Sequence, residues 1–100
     1  MSIITDKHKA DAGKAPISLV PPAIIWDIAA AREYGLRKYP ETGRDGWRTI
    51  GRERIMNAFL RHVLLFMEDP DGIDKESGLP HRVHVAANLS FLCQMARDAT

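Results

Sequence analysis

"RERIMNAFLRHVLLFME" (Arg52–Glu68) carries apolar residues at helical spacing on two of its sides. One stripe is Ile55, Ala58/Phe59, His62 and Phe66, and the other is Met56, Leu60, Val63/Leu64 and Met67. A surface helix needs only one such stripe, so this helix is either central or placed at a subunit interface. No segment sustains the alternation of a strand. The expected class is all-α: a small bundle of three to four helices with an extended N-terminal arm, built as an oligomer.

Upstream, residues 1–20 carry Gly13, Pro16 and mixed charges without a helical period, and read as the arm. Pro21 and Pro22 preset a first helical turn, where a missing N–H does no harm. From Ala23 the pattern Ile24/Ile25, Ile28/Ala29, Leu36 has helical spacing, with a stop at Gly35 or as late as Lys38. Residues 21–100 thus form one helical domain. Downstream, "EDPDGIDKESGLP" (Glu68–Pro80) is an acidic, turn-rich loop. Ser77 or Gly78 leads into a third helix with Pro80 near its first turn, running to about Arg97.

One hundred residues make a single domain that buries roughly two thirds of its unfolded surface. Apolar content of 45% and charged content of 27% are those of a soluble globular chain. A net charge of +1 gives no bulk field for long nucleic acid or a membrane. The lone Cys93 lies in an apolar run and is expected to be a buried, inert thiol. One cysteine permits no internal disulfide, which suits a reducing cytoplasm. No signal peptide or membrane-length apolar run is read, so the expected location is cytoplasmic.

"DKESGLPHRVHVAANLSFL" (Asp74–Leu92) concentrates chemistry. His81, His84 and Asn88 are spaced i, i+3, i+7 and share one helix face, which Phe91 and Met95 continue into the core. The bland reading is one solvated and one structural histidine. The functional reading is a metal or phosphate site beside the acids of the preceding turn. H-E-x-x-H is absent, and no cysteine pair supports structural zinc. Asp69-Pro-Asp71-Gly72 begins like a calcium loop, but Ile73 takes the next ligand position and the glycine comes too early. Carboxylates with a few imidazoles suit Mg²⁺ or Mn²⁺ better. His62 reads either as a satisfied core histidine or, with Arg61, as facing the same cavity as His84.

The segment Arg37–Arg54 interleaves Arg37, Lys38, Arg44, Arg48, Arg52 and Arg54 with Tyr39 and Trp47. Pro40, Gly43, Gly46 and Gly51 make it a loop. It can hold phosphates and stack a base, or it is a solvated connector with Trp47 packed on the core. No phosphate-loop signature occurs.

Taken together, "GKAPISLVPP", "YGLRKY", "GW", "RH" and "DKESGLPHRVHVAANLSFL" resemble the N-terminal domain of a bacteriophage family named for dATP/dGTP diphosphohydrolase activity. The resemblance spans about Lys14 to Leu92. Such proteins are similar to the MazG-like all-α nucleotide pyrophosphohydrolases, which act as oligomers with Mg²⁺ or Mn²⁺. That wider group carries E-x-x-E on one helix and E-x-x-D on the next, where this chain has Arg61-His62 and His81-x-x-His84.

The resemblance implies hydrolysis of purine deoxynucleoside triphosphates to monophosphate and pyrophosphate. Within the site the resemblance marks positions only; their roles, and the place of Arg48 among them, are read from residue chemistry, by which Asp74, Glu76 and His81 hold the metal, and His62, Glu76 and His84 are catalytic. Lys14, Lys38, Tyr39, Trp47, Arg48, Arg61 and Asn88 bind substrate. The alternative is a phage protein without catalysis that sequesters cyclic nucleotides or related host immune signals.

Overall fold

The structure, a computed structural model, describes residues 13–100. Those residues form three α-helices and no strand: α1 (Ala23–Lys38), α2 (Arg52–Glu68) and α3 (His81–Asp98). Of the expected arm, residues 1–12 lie outside the described residues. Its remainder is exposed and makes one short 3-10 turn at Ile17–Leu19.

The helix ends follow from local chemistry. Pro22 caps α1, as the double proline predicts. The helix passes Gly35 and stops at Lys38. There Pro40 disfavours a helical backbone at Tyr39, whose N–H closes the last turn on the Gly35 carbonyl at 2.9 Å. Gly51 caps α2, and Asp69, itself followed by Pro70, ends it. The third helix departs from expectation. It starts at His81 with Pro80 as the cap, and neither Ser77 nor Gly78 caps it. The Ser77 side chain turns instead toward Asp74 and His84.

α3 is the middle helix: it packs against both α1 and α2. Its small residues Ala86 and Ala87, with Val83, are buried and let both neighbours approach closely. Ala31, Val83 and Ala87 form the core cluster, with Ala30 and Leu79 packed on it. α2 buries Ile55 and half-buries Ala58, Phe59, His62 and Phe66, its first stripe. Its second stripe turns partly outward, leaving Leu60, Leu64 and Met67 exposed. α1 is rotated from the expected face: Ala31 and Tyr34 face inward, and Ile24, Ile25 and Trp26 are exposed. Cys93, expected to be buried, is exposed, because α3 presents that side to solvent. No helix among the described residues is long and apolar enough to cross a membrane.

Two loops hold the helices in register. Between α1 and α2 the chain makes 3-10 turns at Pro40–Thr42 and Gly46–Thr49. Gly46 is required there, since a Cβ would lie 2.5 Å from the Thr42 side chain. Between α2 and α3 the acidic loop is closed at its neck. His81 N–H donates to the Gly72 carbonyl at 3.0 Å, and Asp74 N–H donates to the Leu79 carbonyl at 2.8 Å. Gly78, with φ +74°, supplies the left-handed turn inside it.

Candidate functional site

The neck of the acidic loop delivers Asp74 and Ser77 to the start of α3, opposite His62 of α2. His81 and His84 lie one turn apart on α3 and reach the same place. His62 Nδ1 is 3.0 Å from His81 Nδ1. The His62 ring stacks on His84, with centroids 4.6 Å apart and planes 22° apart. His62, Asp74 and His81 each bring a donor atom within 4.8 Å of the others. The three histidines and Asp74 are all half-buried.

Ser77 organises the other side of this cluster. Its hydroxyl is 2.7 Å from Asp74 Oδ2 and 2.6 Å from His84 Nε2, and Leu79 N–H donates to it at 3.2 Å. Asp74 Oδ2 also accepts the Ser77 N–H at 2.9 Å. A hydroxyl has one proton, and an ionised carboxylate can only accept. Ser77 O–H therefore donates to Asp74, and His84 donates its Nε2–H to Ser77. That leaves the His84 Nδ1 lone pair free.

The electrostatics agree. Burial first, then the neighbouring His84 and His81, hold His62 below its ordinary value against the pull of Asp74. Burial, helped by His81, also lowers His84, although Asp74 opposes it. Both imidazoles are neutral near pH 7, as ligands or proton acceptors must be. Burial would raise Asp74, but the two Ser77 hydrogen bonds and the nearby His84 and His62 outweigh it and hold the carboxyl down.

His84 is also one wall of a cavity of about 420 Å³. Ala31, Tyr34, Tyr39, Trp47, Asn88 and Phe91 are among its other walls. Trp47 stacks on Phe91 at 4.5 Å, with planes 13° apart. The Arg48 guanidinium lies 4.5 Å from the Trp47 ring centre, and Arg32 lies 5.3 Å from that of Phe91. The result is a column Arg48–Trp47–Phe91–Arg32 that pins the α1–α2 loop to α3. Arg48 is further held by Asp98 at 2.9 Å and Asp45 at 3.4 Å. Tyr39 stays half-exposed at the cavity.

The expected site residues therefore divide. His62, Asp74, His81 and His84 come together, and Tyr39, Trp47 and Asn88 line the adjoining cavity. Glu76 points elsewhere: it pairs with Lys38 and accepts from Tyr34 Oη at 3.4 Å. Lys38 lies beside Tyr39, its Nζ 5.2 Å from the ring centre. Arg48, Arg61 and Lys14 are exposed and lie outside the cavity lining. Sequence reasoning passed over Ser77, Tyr34 and Phe91 as site residues. For Ser77 a signal existed, because Asp-x-x-Ser is a side-chain-to-backbone turn pattern.

The family model described as "dATP/dGTP diphosphohydrolase, N-terminal" matches residues 5–100. A protein of Salmonella phage PMBT28 called "dATP/dGTP diphosphohydrolase" is 39% identical over 84 residues. The match covers 84% of this chain and 28% of that relative. The chain thus spans little more than a quarter of the curated relative's length. No solved structure matches the chain.

Proposed function

This chain belongs to the dATP/dGTP diphosphohydrolase N-terminal family, and from that premise we propose that it carries the nucleotide site of a phage hydrolase. The substrate class is purine deoxynucleoside triphosphates. A water attacks the α-phosphorus, the bond from that phosphorus to the α–β bridging oxygen breaks, and pyrophosphate leaves with the electron pair. The products are the monophosphate and pyrophosphate.

The observation that supports this most is His84, which is shared by the apolar cavity and the His62–Asp74–His81 cluster. A base in the cavity puts its phosphates toward the cluster. Trp47 is stacked on Phe91 and covered by Arg48, so Tyr39, half-exposed with Lys38 over one side of its ring, offers the other side to the base. Asn88 supplies the cavity with donor and acceptor groups for the base edge. Lys38, once released from Glu76, neutralises phosphate charge. His84 Nδ1 accepts the proton of the attacking water, while Ser77 and Asp74 hold the ring by its other nitrogen.

A divalent cation, Mg²⁺ or Mn²⁺ by the expectation from sequence, would lie at this cluster with Asp74 and His81 against it. When bound, such an ion offsets phosphate charge and acidifies water. The test is incubation with each deoxynucleoside triphosphate under Mg²⁺ or Mn²⁺. Monophosphate and pyrophosphate should appear in equal amounts with dATP or dGTP. No turnover of any nucleotide under either ion overturns the reading.

A further inference from the structure

We infer that His62, His81 and Asp74 form a two-imidazole, one-carboxylate site for a first-row transition ion, and that it discriminates against Mg²⁺. The inference narrows the cofactor of the site proposed above, but it concerns ion binding and holds whether or not a nucleotide is cleaved.

The argument begins with spacing. Two donor atoms at about 2.1 Å from one octahedral ion, on adjacent positions, lie about 3 Å apart. His62 Nδ1 and His81 Nδ1 are 3.0 Å apart. In the absence of an ion, that distance requires one ring to donate a proton to the other. An ion between the two rings takes the place of this proton, with a small turn of the rings to aim both lone pairs at it. Asp74 offers a third donor at the same place, all three donor atoms lying within 4.8 Å of one another, and its carboxylate would close in to complete one face around an ion. Its Oδ2 is held by Ser77, which leaves Oδ1 for the ion.

The surroundings favour binding. The three donors come from three separate segments: α2, the acidic loop and α3. Each segment is fixed by its own contacts, the loop by the hydrogen bonds at its neck. Ser77 orients the carboxylate, the kind of outer contact that metal sites depend on. Three donors on one side leave the other positions for water or phosphate oxygens.

The donor types set the ion class. Imidazole suits Mn²⁺ through Zn²⁺, with affinity rising along the series. Mg²⁺ prefers oxygen ligands and gives up its waters reluctantly. Two of the three donors here are nitrogens, and Glu76, the nearest extra carboxylate in sequence, is paired with Lys38.

Co²⁺ titration of the full chain, without nucleotide, tests the inference. One Co²⁺ per chain should bind, with a visible absorption band. Zn²⁺ should displace it at comparable concentration and Mn²⁺ in large excess, whereas Mg²⁺ at that same excess should not. His62→Gln and His81→Gln should each weaken binding at least about tenfold. Circular dichroism checks their folding. If a variant does not fold, Mn²⁺ broadening of histidine ring signals in the unsubstituted chain decides: His62 and His81 should broaden first. Absence of Co²⁺ binding, displacement by Mg²⁺ at the excess at which Mn²⁺ displaces, unchanged binding in folded variants, or broadening centred elsewhere overturns the inference. The hydrolysis assay does not enter, so loss of the site and loss of the proposed activity are separate results.

Discussion

The Ser77 hydroxyl lies 2.6 Å from His84 Nε2 and is the link by which Asp74 reaches that histidine, since Asp74 Oδ2 itself is 3.6 Å from the ring nitrogen. Ser77→Ala removes this link and leaves a half-buried N–H without its acceptor. The expected loss of stability is about 1–3 kcal/mol, read by chemical denaturation. His84 should also gain the other tautomer, visible in ring nitrogen shifts, while Ser77→Thr should preserve the native one.

Stability should depend on pH through two of the histidines. His62 and His84 are both held below 6.5 in the fold, so the unfolded chain takes up protons first as pH falls. Above pH 6.5 neither residue affects stability. As pH falls from 6.5 toward the folded values, stability is lost. Asp74 acts separately: its folded value is below 3.8, so its contribution is present above 3.8 and disappears as pH falls through the folded value. Thermal melts of the metal-free chain should show a plateau above about pH 7 and a decline below 6.5. His62→Gln or His84→Gln should make that decline shallower. An unchanged slope in both variants contradicts the assignment.

Gly46→Ala should be destabilising by about 1–3 kcal/mol, because the new methyl meets Thr42 Cβ and Oγ1 at 2.5 Å. The crowding atoms belong to one side chain. Gly46→Ala combined with Thr42→Gly should therefore recover most of the loss, and a double-mutant cycle measures the coupling.

Lys38 and Glu76 form an exposed pair, their side chains 36% and 62% accessible. Glu76→Gln should change stability by less than about 1 kcal/mol. Lys38→Ala should also leave the fold intact but raise KM for a triphosphate several-fold. A folded Lys38→Ala with unchanged KM removes Lys38 from the phosphate site.

Periodicity and proline chemistry made much of the fold legible. Pro21-Pro22 marked the start of α1, and the two-sided pattern over Arg52–Glu68 marked α2 to the residue. What periodicity does not carry is which of two faces is buried. α2 has the larger apolar residues, but α3 is in the middle, since its alanines permit close approach on both sides. The same holds for α1, where small Ala31, and not the isoleucines, meets the core.

In the site, spacing placed His81, His84 and Asn88 on one face, and the structure keeps them there. Pairings between distant segments had no local trace. Glu76 goes to Lys38, and His62 meets His81 across the loop, only because the neck of that loop closes. Ser77 was read as a helix cap, its commonest use. Pro80 took that place and freed the hydroxyl for Asp74 and His84.

The two tryptophans give the protein an internal optical gauge. Trp47 is held in the column between Arg48 and Phe91, whereas Trp26 is 77% accessible. Trp26 reports solvent whatever the α1–α2 loop does. Trp47 reports whether that loop is seated on α3. A red shift in emission, measured against the Trp26 signal, therefore registers undocking of the cavity wall.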